Sequence, residues 1–363
     1  MKISANDYLL ARACHQNGAF FKWLGDRETS LLRKQLTEIR IEMPVFITGL
    51  ARAGTTLLLE ILSRVDGVAT HRYRDFPLVM APYFWERFTS RYAVSQVSVE
   101  RPHKDRIRIT KESPEAFEEP IWQFFFPFVH DPKYLHKIGR ETSAPEFERF
   151  FSDQLKKILL LRKGGRYLSK GNYNLTRIEY LSKVFPDARF VIPVRHPQTH
   201  VYSLMRQHKL FCEYSNKDKR VPDYLRAAGH YEFGPQRVPV SFSSVATQRI
   251  LEAWQNAQEH IGYAIQWAQI YGYIAELRQQ DKELSERIFL VRYEDMCANP
   301  KATLDKLLAF TGLPSGSSVL ENLDKVSKSP HAMTDMPGAM RQEIWTETDQ
   351  VAGLYGYRSV DKI

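Results

Sequence analysis

Val45-Phe46-Ile47-Thr48-Gly49-Leu50-Ala51-Arg52-Ala53-Gly54-Thr55-Thr56 is the stretch on which the reading of this chain turns. Val45 to Thr48 form a short apolar run that stops at Gly49, the pattern of a strand buried in a parallel sheet. From Thr56 to Arg64 the pattern changes, with Leu57, Leu58, Ile61 and Leu62 recurring at helical spacing. A glycine-rich loop between a strand and a helix has a physical use. Gly49 and Gly54 allow positive φ and let backbone N–H groups approach a ligand. The helix start adds unpaired N–H groups and the positive end of its dipole. Thr55 and Thr56 add hydroxyl donors, and Arg52 a cation. The loop therefore reads as a cradle for a doubly charged phosphate. Its glycine spacing is that of a P-loop, but Thr55 stands where a nucleoside-triphosphate enzyme needs lysine for the β- and γ-phosphates. A kinase or ATPase is disfavoured.

Outward from this loop, three more strands are expected. They are Tyr167-Leu168-Ser169 before Lys170, Arg189 to Val194 after the turn Phe185-Pro186-Asp187, and Ile288 to Val291 before Arg292-Tyr293-Glu294. Helical stretches at 174–185, 199–210 and 303–311 separate them. Alternating strand and helix predicts an α/β protein of three layers, α/β/α, around a central parallel sheet. Residues 1–42 read as an N-terminal helical segment ended by Pro44, and 246–280 as a long helix or a helix pair. Ser113-Pro114 followed by acids reads as a capped helix start. Two stretches break the rhythm, 75–150 and 212–245. Both read as insertions on one face, where lids and acceptor pockets sit. Residues 1–363 are expected to form a single domain.

Composition narrows the partners. The chain has 363 residues, 43% apolar and 26% charged, which excludes disorder and a small disulfide scaffold. Cys14, Cys212 and Cys297 lie far apart, as free thiols in a reducing compartment would. No apolar run reaches the ~18 residues of a spanning helix, and the first residues lack a signal-peptide core. A cytoplasmic protein is expected. The net charge of +9 asks for an anionic partner. Zinc-finger spacing and RNP-type motifs are missing, so the expectation is an anionic nucleotide and no nucleic acid. No metal-ligand spacing appears, and no metal is expected. A homo-oligomer stays open.

A second anion site follows from Val194-Arg195-His196-Pro197. Pro197 ends the strand, and Gln198 or Thr199 can open the next helix. Ser203 comes eight residues after Arg195. A strand-end guanidinium and a helix hydroxyl could grip one phosphate together.

Taken jointly, these motifs resemble the PAPS-dependent sulfotransferase family, PAPS being 3′-phosphoadenosine 5′-phosphosulfate. Arg52-Ala53-Gly54-Thr55-Thr56 resembles the family's 5′-phosphosulfate loop, and Arg195 with Ser203 its 3′-phosphate pair. Lys170-Gly171-Asn172 resembles the lysine-bearing turn before its central helix. Phe185-Pro186-Asp187-Ala188-Arg189-Phe190-Val191 is similar to its strand entry. Val291-Arg292-Tyr293-Glu294-Asp295, Asn299-Pro300 and Phe310-Thr311-Gly312-Leu313 are similar to its late strand and helix. The arginine in the loop is nearer to the bacterial branch than to many animal cytosolic members. The resemblance implies a P-loop NTPase-like sulfotransferase fold over residues 43–315. It also implies PAPS as sulfuryl donor, PAP as product, and a hydroxyl acceptor that is a glycan, a lipid or another small molecule.

Sulfuryl transfer needs in-line alignment, cations on the leaving phosphate and a base on the acceptor hydroxyl. Arg52 and Lys170 are the expected cations. Asp75 is the expected base. Related bacterial and tyrosyl-protein sulfotransferases carry a catalytic Glu slightly nearer the loop arginine, and Phe76 follows Asp75 as a Phe does in the carbohydrate-specific bacterial branch. His103 with Asp105, or Glu118 and Glu119, are alternatives. The resemblance further implies that a late segment, here Ser329 and Arg341, closes over the nucleotide. The run Ile121 to Val129 is either core or the wall of an acceptor pocket. Two other readings are a nucleotide-binding protein without transfer, kinase-like or regulatory, and a nucleic-acid-binding module.

Overall fold

Five strands pair in parallel at the centre of the protein, in the order β2-β5-β1-β6-β7. The strands in chain order are β1 (Val45–Ile47), β2 (Val68–Ala69), β3 (Val99–Glu100), β4 (Arg108–Ile109), β5 (Arg166–Lys170), β6 (Arg189–Val194) and β7 (Ile288–Arg292). β3 and β4 form a separate antiparallel pair. The structure is a computed structural model, and it describes residues 1, 3–90, 98–104, 107–115, 117–315 and 336–359.

Alternation along the central strands builds two cores. Phe46, Tyr167, Phe190 and Ile192 pack with the helices Pro145–Arg162, Ile178–Val184 and Glu259–Gln280. Their neighbours Val45, Ile47, Leu168 and Val191 pack with Thr55–Leu62, Tyr293–Ala298 and Pro300–Thr311. Successive side chains on a strand point to opposite faces, so the two clusters lie on the two sides of the sheet. That is the three-layer α/β/α arrangement expected of the sequence. The sheet is apolar on both faces, as parallel sheets are.

Several elements differ from the sequence expectation. The stretch 174–185 splits into a short 3-10 turn, Asn172–Thr176, and the helix Ile178–Val184. The segment 246–280 is a helix pair, Ser244–Gln255 and Glu259–Gln280. No helix starts at Ser113; the helix begins at Glu119. The reason is tertiary pairing. Ser113 accepts from the Tyr73 amide through its carbonyl (3.0 Å) and from the Thr110 amide through its hydroxyl (3.0 Å). The Glu115 amide donates to His71 O (3.1 Å). This edge contact holds 113–115 extended against 71–73, and a local capping signal loses to it. No helix among the described residues is long and apolar enough to cross a membrane.

Candidate functional site

The phosphate loop leaves β1 at the middle of the sheet, between β5 and β6. Register decides what surrounds it. Lys170, the last residue of β5, pairs with Ile47, the last residue of β1. Arg195 follows the last residue of β6 on the other side. Three adjacent strand ends thus carry the lysine, the loop and the second arginine to one edge of the sheet.

Within the loop, Arg52 has φ 71° and Gly54 φ 111°. At Gly54 a Cβ would lie 3.0 Å from the Tyr293 ring, so the left-handed turn and the close packing both require glycine there. The helix Thr55–Leu62 starts directly after it. His200, fully buried in the helix Pro197–Lys217, lies 2.9 Å from Ala51 O and pins the loop from behind. Burial lowers its imidazole to about 3, so it is neutral there.

The two anion-binding groups read from the sequence meet. Arg52 Nε donates to Ser203 Oγ at 3.4 Å, and Arg195 Nη1 donates to Arg52 O at 3.3 Å. The Arg195 guanidinium lies 4.8 Å from the centre of the Tyr293 ring. Burial lowers the Arg195 pKa from its ordinary value. Trp267 Nε1 donates to Arg195 O (3.1 Å), and the hydroxyls of Tyr271 and Tyr357 donate to Pro193 O and Val194 O (3.0 Å each). These bonds fix the end of β6 and with it the position of Arg195.

Two cavities open on either side of the loop. One, of about 880 Å³, is bordered by Gly54, Leu57, Arg64, Arg195 and Tyr293. The other, of about 620 Å³, is bordered by Lys170, Asn172, Glu115 and many apolar side chains. Arg52, Thr55, Thr56 and Arg101 border both. Where the second cavity meets the loop, Lys170 Nζ lies 3.1 Å from Glu115 Oε1, and the Tyr73 hydroxyl donates to Glu115 Oε2 at 2.5 Å. Burial pushes the Glu115 carboxyl up, but Lys170 and Arg101, with the Tyr73 bond, reverse this and hold it well below the usual carboxylate range. Beside it, Thr55 Oγ1 donates to Asn172 Oδ1 (3.2 Å), and Asn172 Nδ2 donates to Glu232 Oε1 (2.9 Å). Burial opposes ionisation of Glu232, but His230 and Asn172 outweigh it and bring its carboxyl to about 2.

The expected residues divide. Arg52, Thr55 and Thr56 border both cavities, Lys170 and His103 the second, Gly54 and Arg195 the first, and Ser203 neither. Ala53 is buried inside the loop, its amide donating to Leu50 O at 3.1 Å. Asp75 borders neither cavity. Its side chain is 2% exposed. Arg162 Nη2 donates to one oxygen (2.5 Å), and the Arg72 amide (2.8 Å) and His71 (3.3 Å) hold the other. Burial opposes its ionisation, but the His71 bond and the charges of His71 and Arg162 leave its pKa below the usual value. Glu119 is held by both Arg177 guanidinium nitrogens (2.8 and 2.7 Å), and Glu118 accepts from the Tyr167 hydroxyl (2.6 Å). Both belong to the buried interior. Arg341 borders neither cavity; its carbonyl accepts from Gln198. Ser329 and Asp105 lie outside the described residues.

Ile121, Trp122, Phe126 and Val129 are core. The apolar wall comes instead from residues that sequence reading passed over, among them Phe117, Phe211, Tyr224 and Phe233. Glu115 was also missed, because its acidic stretch reads as a helix start. Asn172 had a signal, its place in the turn after Lys170.

A parallel α/β sheet whose central strand feeds a glycine loop, flanked by a strand-end lysine and a strand-end arginine, is an arrangement that can hold a phosphate at a helix N-terminus. The family model described as the sulfotransferase family matches residues 44–232 and 234–317, and the chain belongs to that family. Among solved structures it is similar to the sulfotransferase STF1 from Mycobacterium tuberculosis H37Rv. That match has 14% identity and a TM-score of 0.50, covering 88% of this chain and 81% of the other. It is also similar to the sulfotransferase STF9 from Mycobacterium avium, at 14% identity and a TM-score of 0.47, covering 91% and 79%. None of the curated proteins compared matches the chain.

Proposed function

We propose that this sulfotransferase moves a sulfuryl group from PAPS to the hydroxyl of a small acceptor, with Lys170 and Glu115 as the reacting pair. The observation that carries the reading is the Lys170–Glu115 contact at 3.1 Å, set beside the phosphate loop and bordering the apolar cavity. Arg52, Gly54, Thr55 and Thr56 would hold the 5′-phosphosulfate, and Arg195 and Ser203 the 3′-phosphate. In the transfer, the acceptor oxygen forms a bond to sulfur while the bond from sulfur to the 5′-phosphate oxygen breaks. The electron pair stays on that phosphate oxygen, giving PAP, and the hydroxyl proton passes to the Glu115 carboxylate. Lys170 and Arg52 stabilise the charge that grows on the leaving oxygen. Drawing Lys170 toward the donor weakens its hold on Glu115, and the carboxylate becomes a better base. Asp75 remains the alternative base read from the sequence, and its ion pair with Arg162 supports a structural role instead.

The test is transfer from sulfur-labelled PAPS to a panel of hydroxyl compounds, with PAP binding measured in parallel. Label in an acceptor with PAP formed in equal amount supports the reading. Tight PAP binding without transfer to any acceptor would favour a nucleotide-binding regulator. Absence of PAP binding, with salt-sensitive binding to DNA or RNA, would favour the nucleic-acid reading.

A further inference from the structure

The apolar cavity has features that select among acceptors. Its wall holds two groups of rings. In the first, Phe76 stacks on Phe117 (5.3 Å between centres, 24° between planes) and meets Tyr224 edge-on at 5.6 Å. In the second, Phe211 packs on Phe233 at 5.8 Å and on Tyr214 at 5.7 Å. The first group comes from Phe76 and Phe117, in the stretch after the phosphate loop, and from the helix Val221–Ala227; the second comes from the helix Pro197–Lys217 and from the segment after Val221–Ala227. Ile3, Val99, Ile109 and Leu225 fill the wall between polar positions.

Beside the phosphate loop, polar groups of the lining are engaged with each other. Lys170, Glu115 and Tyr73 form one bonded set, and Thr55, Asn172 and Glu232 another. A sugar brings a hydroxyl on nearly every carbon, and each one buried without a partner costs free energy. Away from those sets the described lining is mostly rings and aliphatic side chains, with Asp7, Glu100, His103 and Lys104 among its polar members. Charge at the cavity is mixed: Lys104 and His103 are accompanied by Asp7 and Glu100. That mixture gives no single-sign field for a polyanion. At about 620 Å³ the space equals roughly twenty waters of ~30 Å³ each, the size of a ligand with two to four rings.

We propose that the acceptor is a neutral, ring-bearing apolar alcohol or phenol, not a sugar or a polyanion. This rests on reading the cavity as the acceptor side of the transfer. The rings grip the body of the acceptor, and its single hydroxyl projects toward the phosphate loop, where Glu115 and Lys170 meet. Residues 75–150 and 212–245 both contribute to the cavity, so the two insertions together set acceptor choice.

The experiment measures binding of 2-naphthol, glucose and glucuronate to the full chain, with and without PAP, and turnover with PAPS. Phe76→Ala and Ile109→Arg are compared with the wild type; both sites are partly exposed, and the circular dichroism spectrum and urea unfolding report that each variant is folded. Naphthol is expected to bind and to be sulfated, and each variant to weaken it about tenfold or more while the Kd for PAP shifts less than about twofold. Glucose or glucuronate binding more tightly than naphthol, or naphthol binding unmoved by both variants, would overturn the proposal. Naphthol binding is read without PAP as well. A wild type that fails to bind PAP would therefore contradict the donor reading and still leave the acceptor result decided.

Discussion

The phosphate loop and the cavity beside it are assembled differently. The loop region takes its polar groups from one continuous stretch, residues 52–56, and from Lys170 and Arg195 at the ends of the two strands that flank β1. Backbone geometry holds it, through a left-handed Gly54, a helix start and β6 fixed by Trp267, Tyr271 and Tyr357. The cavity has no such frame. Its wall combines Ile3, Phe76, Phe117, Phe211 and Phe233, which are far apart in sequence and lie on different elements. The first region is a sheet-edge device with a local signature. The second is a packing product without a local signature. On the proposed function, donor recognition would fall to the first region and acceptor choice to the second.

The same contrast separates two carboxylates. Asp75 and Glu115 are both buried, and both have pKa values below the ordinary range. Asp75 is closed in by Arg162, His71 and the Arg72 amide, whereas Glu115 faces a cavity next to Lys170. A lowered pKa alone does not mark a base; access does.

Lys170→Ala should lower turnover with PAPS about a thousandfold, since it removes charge stabilisation at the leaving oxygen. Steady-state transfer measured at saturating PAPS checks it, and a loss under tenfold would move the cation role to Arg52 alone. Asp75→Asn should act on stability instead. Breaking a buried ion pair costs about 3–5 kcal/mol, read by urea unfolding at pH 7. The carboxyl titrates below its unfolded value of about 3.9, so its contribution is complete above that value and disappears as pH falls through the lower folded pKa. The gap between wild type and variant should therefore narrow at low pH. A gap that stays constant would contradict the ion-pair role. Arg195→Ala should weaken PAP about a hundredfold by calorimetry and barely affect 5′-AMP. Equal weakening of both ligands would show that Arg195 does not serve the 3′-phosphate.

What was legible in the sequence follows from the same physics. Apolar runs ending at Gly49, Lys170, Arg195 and Arg292 announce parallel strands, because a strand buried on both faces has little freedom in composition. The loop was legible because glycine spacing and the helix start act locally. β2 and the β3–β4 pair are two residues each, too short for any period to show. The Ser113-Pro114 signal failed because hydrogen bonds to residues 71–73 outweigh a local cap. That failure hid Glu115. The cavity wall was illegible for a different reason. The strongest apolar run, Ile121 to Val129, goes to the core, while scattered single aromatics on other elements meet in space.

The most direct test of the account is turnover of Glu115→Gln beside Asp75→Asn, both at saturating PAPS and per folded molecule. The expected result is a loss of about 10²–10⁴-fold for Glu115→Gln, with PAP affinity within about twofold of wild type and Asp75→Asn close to wild type. Near-normal turnover for Glu115→Gln, with Asp75→Asn inactive though folded, would contradict it and return the base to Asp75.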